Sequence, residues 1–223
     1  MILAFYVLLT VGVFLLSNYL QRRYKTFWFS PLIFGVLLTI MTLKMLNIYD
    51  IQSYKQATFV LSYLLGPVIV AFAVPIYKNF RILKKYPLTI LAGVLCSFIF
   101  GVLSTLLIQS CLVLPTAVSN SLIVKFVTTP FANLVYQKIG GDQSLTIFFV
   151  LLTGILGMII CPFIFRLIGI QNGVAKGVVL GATAHGIGTA KAYEYGEESA
   201  AISSVVMSLV GICLITIVIL FFH

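Results

Sequence analysis

Val179-Leu180-Gly181-Ala182-Thr183-Ala184-His185-Gly186-Ile187-Gly188-Thr189-Ala190-Lys191 packs three glycines, two threonines and one of the chain's two histidines between long apolar runs. Here the sequence stops reading as a simple row of membrane helices. Glycines at 181, 186 and 188 permit unwinding or close backbone approach, and amides freed at a half-helix start attract an anion. His185 and Thr189 stand four residues apart and share one helical face. Histidine titrates near physiological pH, so His185 is a candidate to bind a carboxylate or to carry a coupled proton. A packing face built on small residues around a hydrogen-bonded core histidine is the other reading of the same pattern.

The remainder of the chain gives this stretch its setting. Of 223 residues, 61% are hydrophobic and 9% charged, against about 25% charged in soluble proteins. The apolar runs are continuous rather than alternating, which selects membrane helices over a barrel. With about 20 residues per crossing, the sequence predicts an all-α polytopic membrane protein with seven or eight membrane elements, two or three of them discontinuous or re-entrant. It reads as one membrane domain over residues 1–223. The net charge of +9 lies in short loops, where it sets topology rather than marking a nucleic-acid surface. Cys96, Cys111, Cys161 and Cys213 are isolated within apolar segments, without metal or redox spacing.

The first run, Ile2 to Leu20, lacks a basic leader and a cleavage site, so it reads as a retained helix. The cations of Gln21-Arg22-Arg23-Tyr24-Lys25 then favour the cytoplasmic face, which puts the N-terminus outside. Tyr24 and Trp28 stand at the entrance of the second run, about 27–46, as an interfacial belt would. The third run, Leu61 to Tyr77, holds Gly66, Pro67 and Pro75, and predicts a spanning helix broken near Gly66-Pro67. Lys78, Arg81, Lys84 and Lys85 follow, and Pro87 opens the fourth run. Residues 115–141 are too polar for a lipid-facing helix, so they need protein or a watery cavity beside them. Two further apolar elements, about 144–165 and 200–222, flank the opening stretch.

Interrupted segments recurring in two halves point to a transporter's binding site. Shifting the chain by 115 residues lays Leu65-Gly66-Pro67 on Leu180-Gly181-Ala182, and so predicts repeats over 1–114 and 115–223. These are parallel if each half crosses four times and inverted if the segment 115–141 is re-entrant. Within that segment, Val124-Lys125-Phe126-Val127-Thr128-Thr129-Pro130-Phe131-Ala132 places a lysine in apolar surroundings. An intramembrane lysine faces a cavity or a partner. Lys125 can neutralise a carboxylate while Thr128 and Thr129 donate hydrogen bonds; snorkelling to an interface is its bland alternative. Lys191 and Glu194 can pair at i,i+3, and Glu194 is a further candidate for proton coupling. No nucleophile and base arrangement, phosphate loop or metal spacing stands out, so neither an enzyme nor a cofactor or metal is expected.

The run from Ala184-His185-Gly186-Ile187-Gly188-Thr189-Ala190-Lys191-Ala192 through Glu194, Gly196-Glu197-Glu198 and Ser203-Ser204 resembles the C-terminal signature of the LrgB/CidB family. Residues 125–132 match a second motif of that family, and Gly66-Pro67 with Ala73-Val74-Pro75-Ile76-Tyr77-Lys78 a third. The likeness runs from about residue 60 onward. This chain departs from the usual pattern at Ala184, Val124 and Phe126, where serine, proline and serine are usual. The resemblance implies a multi-pass protein of the bacterial plasma membrane. It also implies one of two roles. One is a carrier of small monocarboxylates of the pyruvate, glycolate or glycerate type, working by alternating access with a small LrgA/CidA-like membrane partner and as a homo-oligomer. The other is an antiholin-like subunit that modulates murein hydrolases and lysis without moving solute. For the carrier, the expected substrate-binding set is Lys125, Thr128, Thr129, His185, Gly186, Gly188, Thr189, Gly66 and Pro67, with His185 or Glu194 for a proton.

Overall fold

The computed structural model describes residues 2–24, 29–48 and 50–221. Lys25 of the first basic cluster and Trp28 of the expected aromatic belt lie outside the described residues. Every regular element among the described residues is helical. Among the described residues, five helical stretches are long and apolar enough to cross a membrane: Ala4–Tyr24, Ile51–Lys78, Pro87–Cys111, Gln143–Leu167 and Glu197–Phe221. The chain is a helical multi-pass membrane protein. Its contacts form two compact units, Met1–Leu65 and Gly66–His223. The division thus falls inside the third apolar run, where the sequence reading has one domain with repeats meeting at 114/115.

The first unit contains α1 (Ile2–Tyr24), a π-helical turn (Pro31–Gly35) leading into α2 (Val36–Met45), and α3 (Ile51–Tyr63). Tyr6, Leu43 and Ala57 are its buried centre. The Tyr6 hydroxyl donates to the Ile48 carbonyl at 2.9 Å, and the Thr10 and Tyr54 hydroxyls bond at 2.8 Å. Asp50 caps α3, its carboxylate accepting from the Gln52 and Ser53 amides. The Ser53 hydroxyl is the first of the hydrogen bonds that hold this carboxyl below its ordinary range.

The second unit takes in α4 (Leu65–Ala71) from its second residue on, then α5 (Ala73–Lys78) and α6 (Phe80–Lys85). The expected break is here and has a twin. Helix α3 stops at Tyr63 and α4 at Ala71, each four residues before a proline, Pro67 and Pro75. A proline has no amide to give the carbonyl four residues back, and its ring crowds that carbonyl.

Three helices of 25 residues form the frame: α7 (Pro87–Cys111), α10 (Gln143–Leu167) and α12 (Glu197–Phe221). Each is about 37 Å long. The segments between them each turn back on themselves.

The first of these is α8 (Thr116–Ile123), a tip at 124–128, and α9 (Thr129–Val135). Asn120 Nδ2 donates to the Ile139 carbonyl at 2.5 Å, and the Asp142 amide donates to Ser121 Oγ at 2.8 Å. Residues some twenty apart in sequence therefore lie side by side, and the chain has reversed between them. Pro130 enforces the reversal, because a helix running on through the tip would clash at Phe126.

The second is α11 (Gly173–Ala192), whose helical pattern is interrupted at His185, φ 40° and ψ −123°. Before that point the register against α12 rises: Gly177 packs on Ser199 and Gly181 on Ser203. After it the register falls. Gly186 faces Met207, and Thr189 Oγ1 meets Ser203 Oγ at 2.9 Å. Gly188 lies against the Leu180 carbonyl, although a straight helix would hold residues eight apart about 12 Å from each other. Gly173, at the start, lies 3.4 Å from the Tyr195 carbonyl by its would-be Cβ. Residues 173–184 therefore run inward and 186–192 run back. The sequence left open whether 115–141 crosses; both it and 173–195 double back as helical hairpins.

Because α10 joins the base of one hairpin to the base of the other, the two bases lie at opposite ends of that helix. Their tips meet α7 near its middle. Lys125 Nζ donates to the Gly101 carbonyl at 3.0 Å, and Ser97 Oγ donates to the Ala182 carbonyl at 2.6 Å. Ser97 and Gly101 are one helical turn apart.

Candidate functional site

The site is the meeting place of the two tips, and glycines seat each of them. Phe126 lies on Gly101, where a Cβ would come within 2.7 Å of the ring's Cγ. At Gly154 a Cβ would meet His185 Cε1 at 2.8 Å, and at Gly157 it would meet Ala184 Cβ at 2.7 Å. Gly154 is the twelfth of the 25 residues of α10, so His185 lies at half the helix's depth.

Lys125 is 9% exposed. Its ammonium donates to the Gly101 carbonyl and, at 2.5 Å, to Thr105 Oγ1. An ammonium has three donors, so one remains. The ion pairs found among the described residues, Lys85–Glu198 and Lys191–Glu194, do not involve it. A cavity of about 620 Å³ opens beside it. Thr89, Ser97, Ser104, Thr153 and Thr183 put hydroxyls on a largely apolar wall, with Ala182 and Phe126 from the two tips. A monocarboxylate is far smaller than this volume, and among the described residues the lysine is the one charged group lining it.

On the other side of the tips, polar atoms are buried without a partner among the described residues. Thr128 stands at the N-cap of α9 in extended conformation but makes no capping bond, and its hydroxyl is unpartnered. His185 is 4% exposed; its ring faces the Val150 carbonyl and its Nε2 has no partner. Thr146 Oγ1, on α10, is in the same condition. Each such atom costs about 1–3 kcal/mol. His185 adds backbone strain, since a non-glycine residue at positive φ costs about 1–3 kcal/mol. Glycine would sit there freely. An imidazole kept at that cost argues for a use of the side chain over a pure small-residue packing face.

The expected residues divide. Lys125, Thr128 and His185 are brought to the tips, with Thr129 half-buried in the first turn of α9. Gly186 is exposed at the second tip, and Gly188 is the contact that lets the return arm close on Leu180. The Thr189 hydroxyl is already taken by the His185 carbonyl at 2.9 Å and by Ser203. Gly66 and Pro67 are exposed and do not line the cavity. They break a helix rather than wall the site. Glu194 lies at the outer end of the second hairpin, in the 3-10 turn Tyr193–Tyr195, and its side chain is 62% exposed and paired with Lys191 at 2.6 Å. It is on the hairpin's base, remote from His185. Sequence reasoning missed Ser97, Gly101 and Thr105. Their signal is a small or hydroxylated residue at every fourth position of α7, which only the docking of both tips makes legible.

The family model of the LrgB-like family matches residues 10–223. The chain is 40% identical over 204 residues to the uncharacterized protein YwbG of Bacillus subtilis, covering 92% of this chain and 90% of that protein. It is 32% identical over 206 residues to the uncharacterized protein YxaC of the same organism, covering 92% and 89%. It is 30% identical over 195 residues to the antiholin-like protein LrgB of Bacillus cereus, covering 87% and 84%. No solved structure matches the chain.

Proposed function

This chain belongs to the LrgB-like family, and on that premise we propose that it is a carrier for small monocarboxylates, working by alternating access around the two hairpin tips. The observation that carries the reading is Lys125: a buried ammonium with two neutral partners, no carboxylate among them, and a cavity beside it. A charge left without a counter-ion at membrane depth is costly, and an anionic ligand offsets that cost. Gly186 and Thr129 border the tips that such a ligand would touch.

Helix α7 with its hairpin and α10 with its hairpin are equivalent pairs, each a 25-residue helix followed by a re-entrant segment. One crossing per pair makes the second inverted with respect to the first. This replaces the 115-residue repeat as the basis of two-sided access, each hairpin gating one face. Lys78, Arg81, Lys84 and Lys85 precede α7, and Arg166 closes α10. By the preference of cations for the cytoplasmic side, the second hairpin opens inward and the first outward. A homo-oligomer and a small LrgA/CidA-like partner belong to the same proposal.

A second reading has its own support. The Bacillus cereus relative is named antiholin-like, which speaks for a membrane subunit that regulates lysis and moves no solute. Purified protein in liposomes separates the two. A carrier gives saturable uptake of labelled pyruvate or glycolate without dye leakage. Leakage, or neither signal with and without a partner, overturns it.

His185→Gly relieves the positive-φ strain while removing the imidazole. We expect its melting temperature in detergent to rise, by roughly the effect of 1 kcal/mol or more, and its uptake to fall. An unchanged uptake would assign His185 to packing alone.

A further inference from the structure

We infer that the cavity beside Lys125 takes a monocarboxylate with an unbranched apolar tail, its carboxylate on the ammonium and its tail laid outward along α7. The inference rests on the carrier reading and extends the substrate class from the smallest acids to medium-chain ones.

The cavity is a groove whose course follows from helix register. The inward arm of the second hairpin runs beside α7 in the same direction: Val178 packs on Gly93, and one turn further along both helices the Ala182 carbonyl accepts from Ser97. The α7 residues that line the groove run from Thr89 to Ser104, a path of about 22 Å. On the hairpin they run from Ala175, near the base, to Thr183, near the tip. Lys125 stands at the inner end, where its ammonium bonds Gly101 and Thr105. From Gly101 out to Thr89 the groove continues for about 18 Å, far past the reach of pyruvate or glycolate.

That length is apolar. Ala92, Gly93, Cys96, Phe100, Val178 and Val179 form most of it. Of the hydroxyls on its wall, those of Ser97, Ser104 and Thr183 already donate to the carbonyls of Ala182, Gly101 and Val179. Thr89 stands at the outer end, so Thr153 of α10 is the remaining hydroxyl along the path. A second carboxylate on the ligand would find no cation among the described residues here, and a row of ligand hydroxyls would find few partners. Both would be desolvated without compensation, a cost that an alkyl chain avoids. The charge selects the head group. Lys125 is buried with one donor still to give, which suits a terminal carboxylate, whereas a phosphodiester is substituted on both sides and would bring its glycerol in with it.

The test is competition against uptake of labelled pyruvate or glycolate by the full chain in proteoliposomes, with a trapped dye to report damage to the bilayer. Each buried methylene is worth roughly fourfold in affinity. The groove is open along one side, so octanoate is expected to inhibit at least tenfold more tightly than butyrate. Cys96 lines the groove about 7.5 Å out from Gly101 and is exposed. Cys96→Phe puts a ring across the path of the tail and should remove the octanoate advantage, whereas Cys96→Ser, of similar size, should keep it. Ala92→Phe, about 13.5 Å out, should cut the further gain of dodecanoate more than that of octanoate, and it decides the matter if Cys96→Phe does not fold. Equal potency of butyrate and octanoate on the unaltered protein, or an advantage indifferent to both phenylalanines, overturns the tail site and leaves the carrier. Anionic phospholipid that copurifies with the unaltered protein, and is lost from both Lys125→Met and Cys96→Phe, gives the groove to lipid and also overturns it. Saturable uptake of neither labelled acid by the unaltered protein overturns both readings.

Discussion

Lys125→Met is expected to abolish saturable carboxylate uptake and to leave the fold intact. Methionine keeps the length and the apolar stem of lysine and removes only the ammonium. Truncating one partner of a buried charged hydrogen bond costs about 2–5 kcal/mol, roughly thirty-fold to several-thousand-fold in affinity. The protein should not lose stability with it. Thr105 Oγ1 still donates to the Gly101 carbonyl at 3.0 Å, so no polar group is orphaned, and replacing a buried charge by an apolar side chain is often neutral or stabilising. Uptake and thermal melting measured on the same preparation check both halves. Melting that collapses while residual uptake keeps its affinity would make Lys125 a structural post.

The second large effect is steric. Gly181→Ala adds one methyl where the second hairpin touches α12 backbone to backbone. That methyl would overlap the Ser203 carbonyl and lie 2.9 Å from Ser203 Cα. Neither atom can move aside as a flexible side chain would, and Gly177 repeats the contact on Ser199 one turn away. Overpacking of this kind costs about 1–3 kcal/mol and occasionally more. It would also push the hairpin off α12, so uptake should fall with stability. Gly12→Ala, on α1 with nothing within 4 Å of the added atom, is the control. It should be neutral or slightly stabilising, since alanine outranks glycine in a helix. Equal melting temperatures for the two variants would contradict the backbone contact at Gly181.

How far the sequence discloses this arrangement depends on whether a feature is local. The long helices are legible because hydropathy and length suffice, and the break beside Gly66-Pro67 because a proline acts on its own turn. Lys125 and His185 stand out as polar residues where hydrocarbon is expected. Their setting does not, because re-entry is a matter of register. Nothing in residues 173–192 says that the helix turns round at His185 rather than bending there; only the residues of α12 that each arm touches disclose it. The 115-residue shift aligns prolines and glycines that break helices, whereas the proposed inverted pair is α7 and α10 with the hairpin after each, a match of element order that hydropathy does not carry. Glu194 shows the converse error: close to His185 in sequence, it is carried by the returning arm to the far end of the hairpin.

The placement of the two hairpins decides whether their tips can share one ligand, and sidedness of labelling measures it directly. In a chain with Cys96, Cys111, Cys161 and Cys213 replaced, single cysteines at Lys138 and Gln171, both exposed at the hairpin bases, are exposed to a membrane-impermeant maleimide in vesicles of known orientation. The expected result is that the cysteine at position 138 reacts only from outside and the one at position 171 only from the cytoplasmic side. Reaction of both from the same face would mean that α10 does not separate the two bases, and the shared site would be excluded.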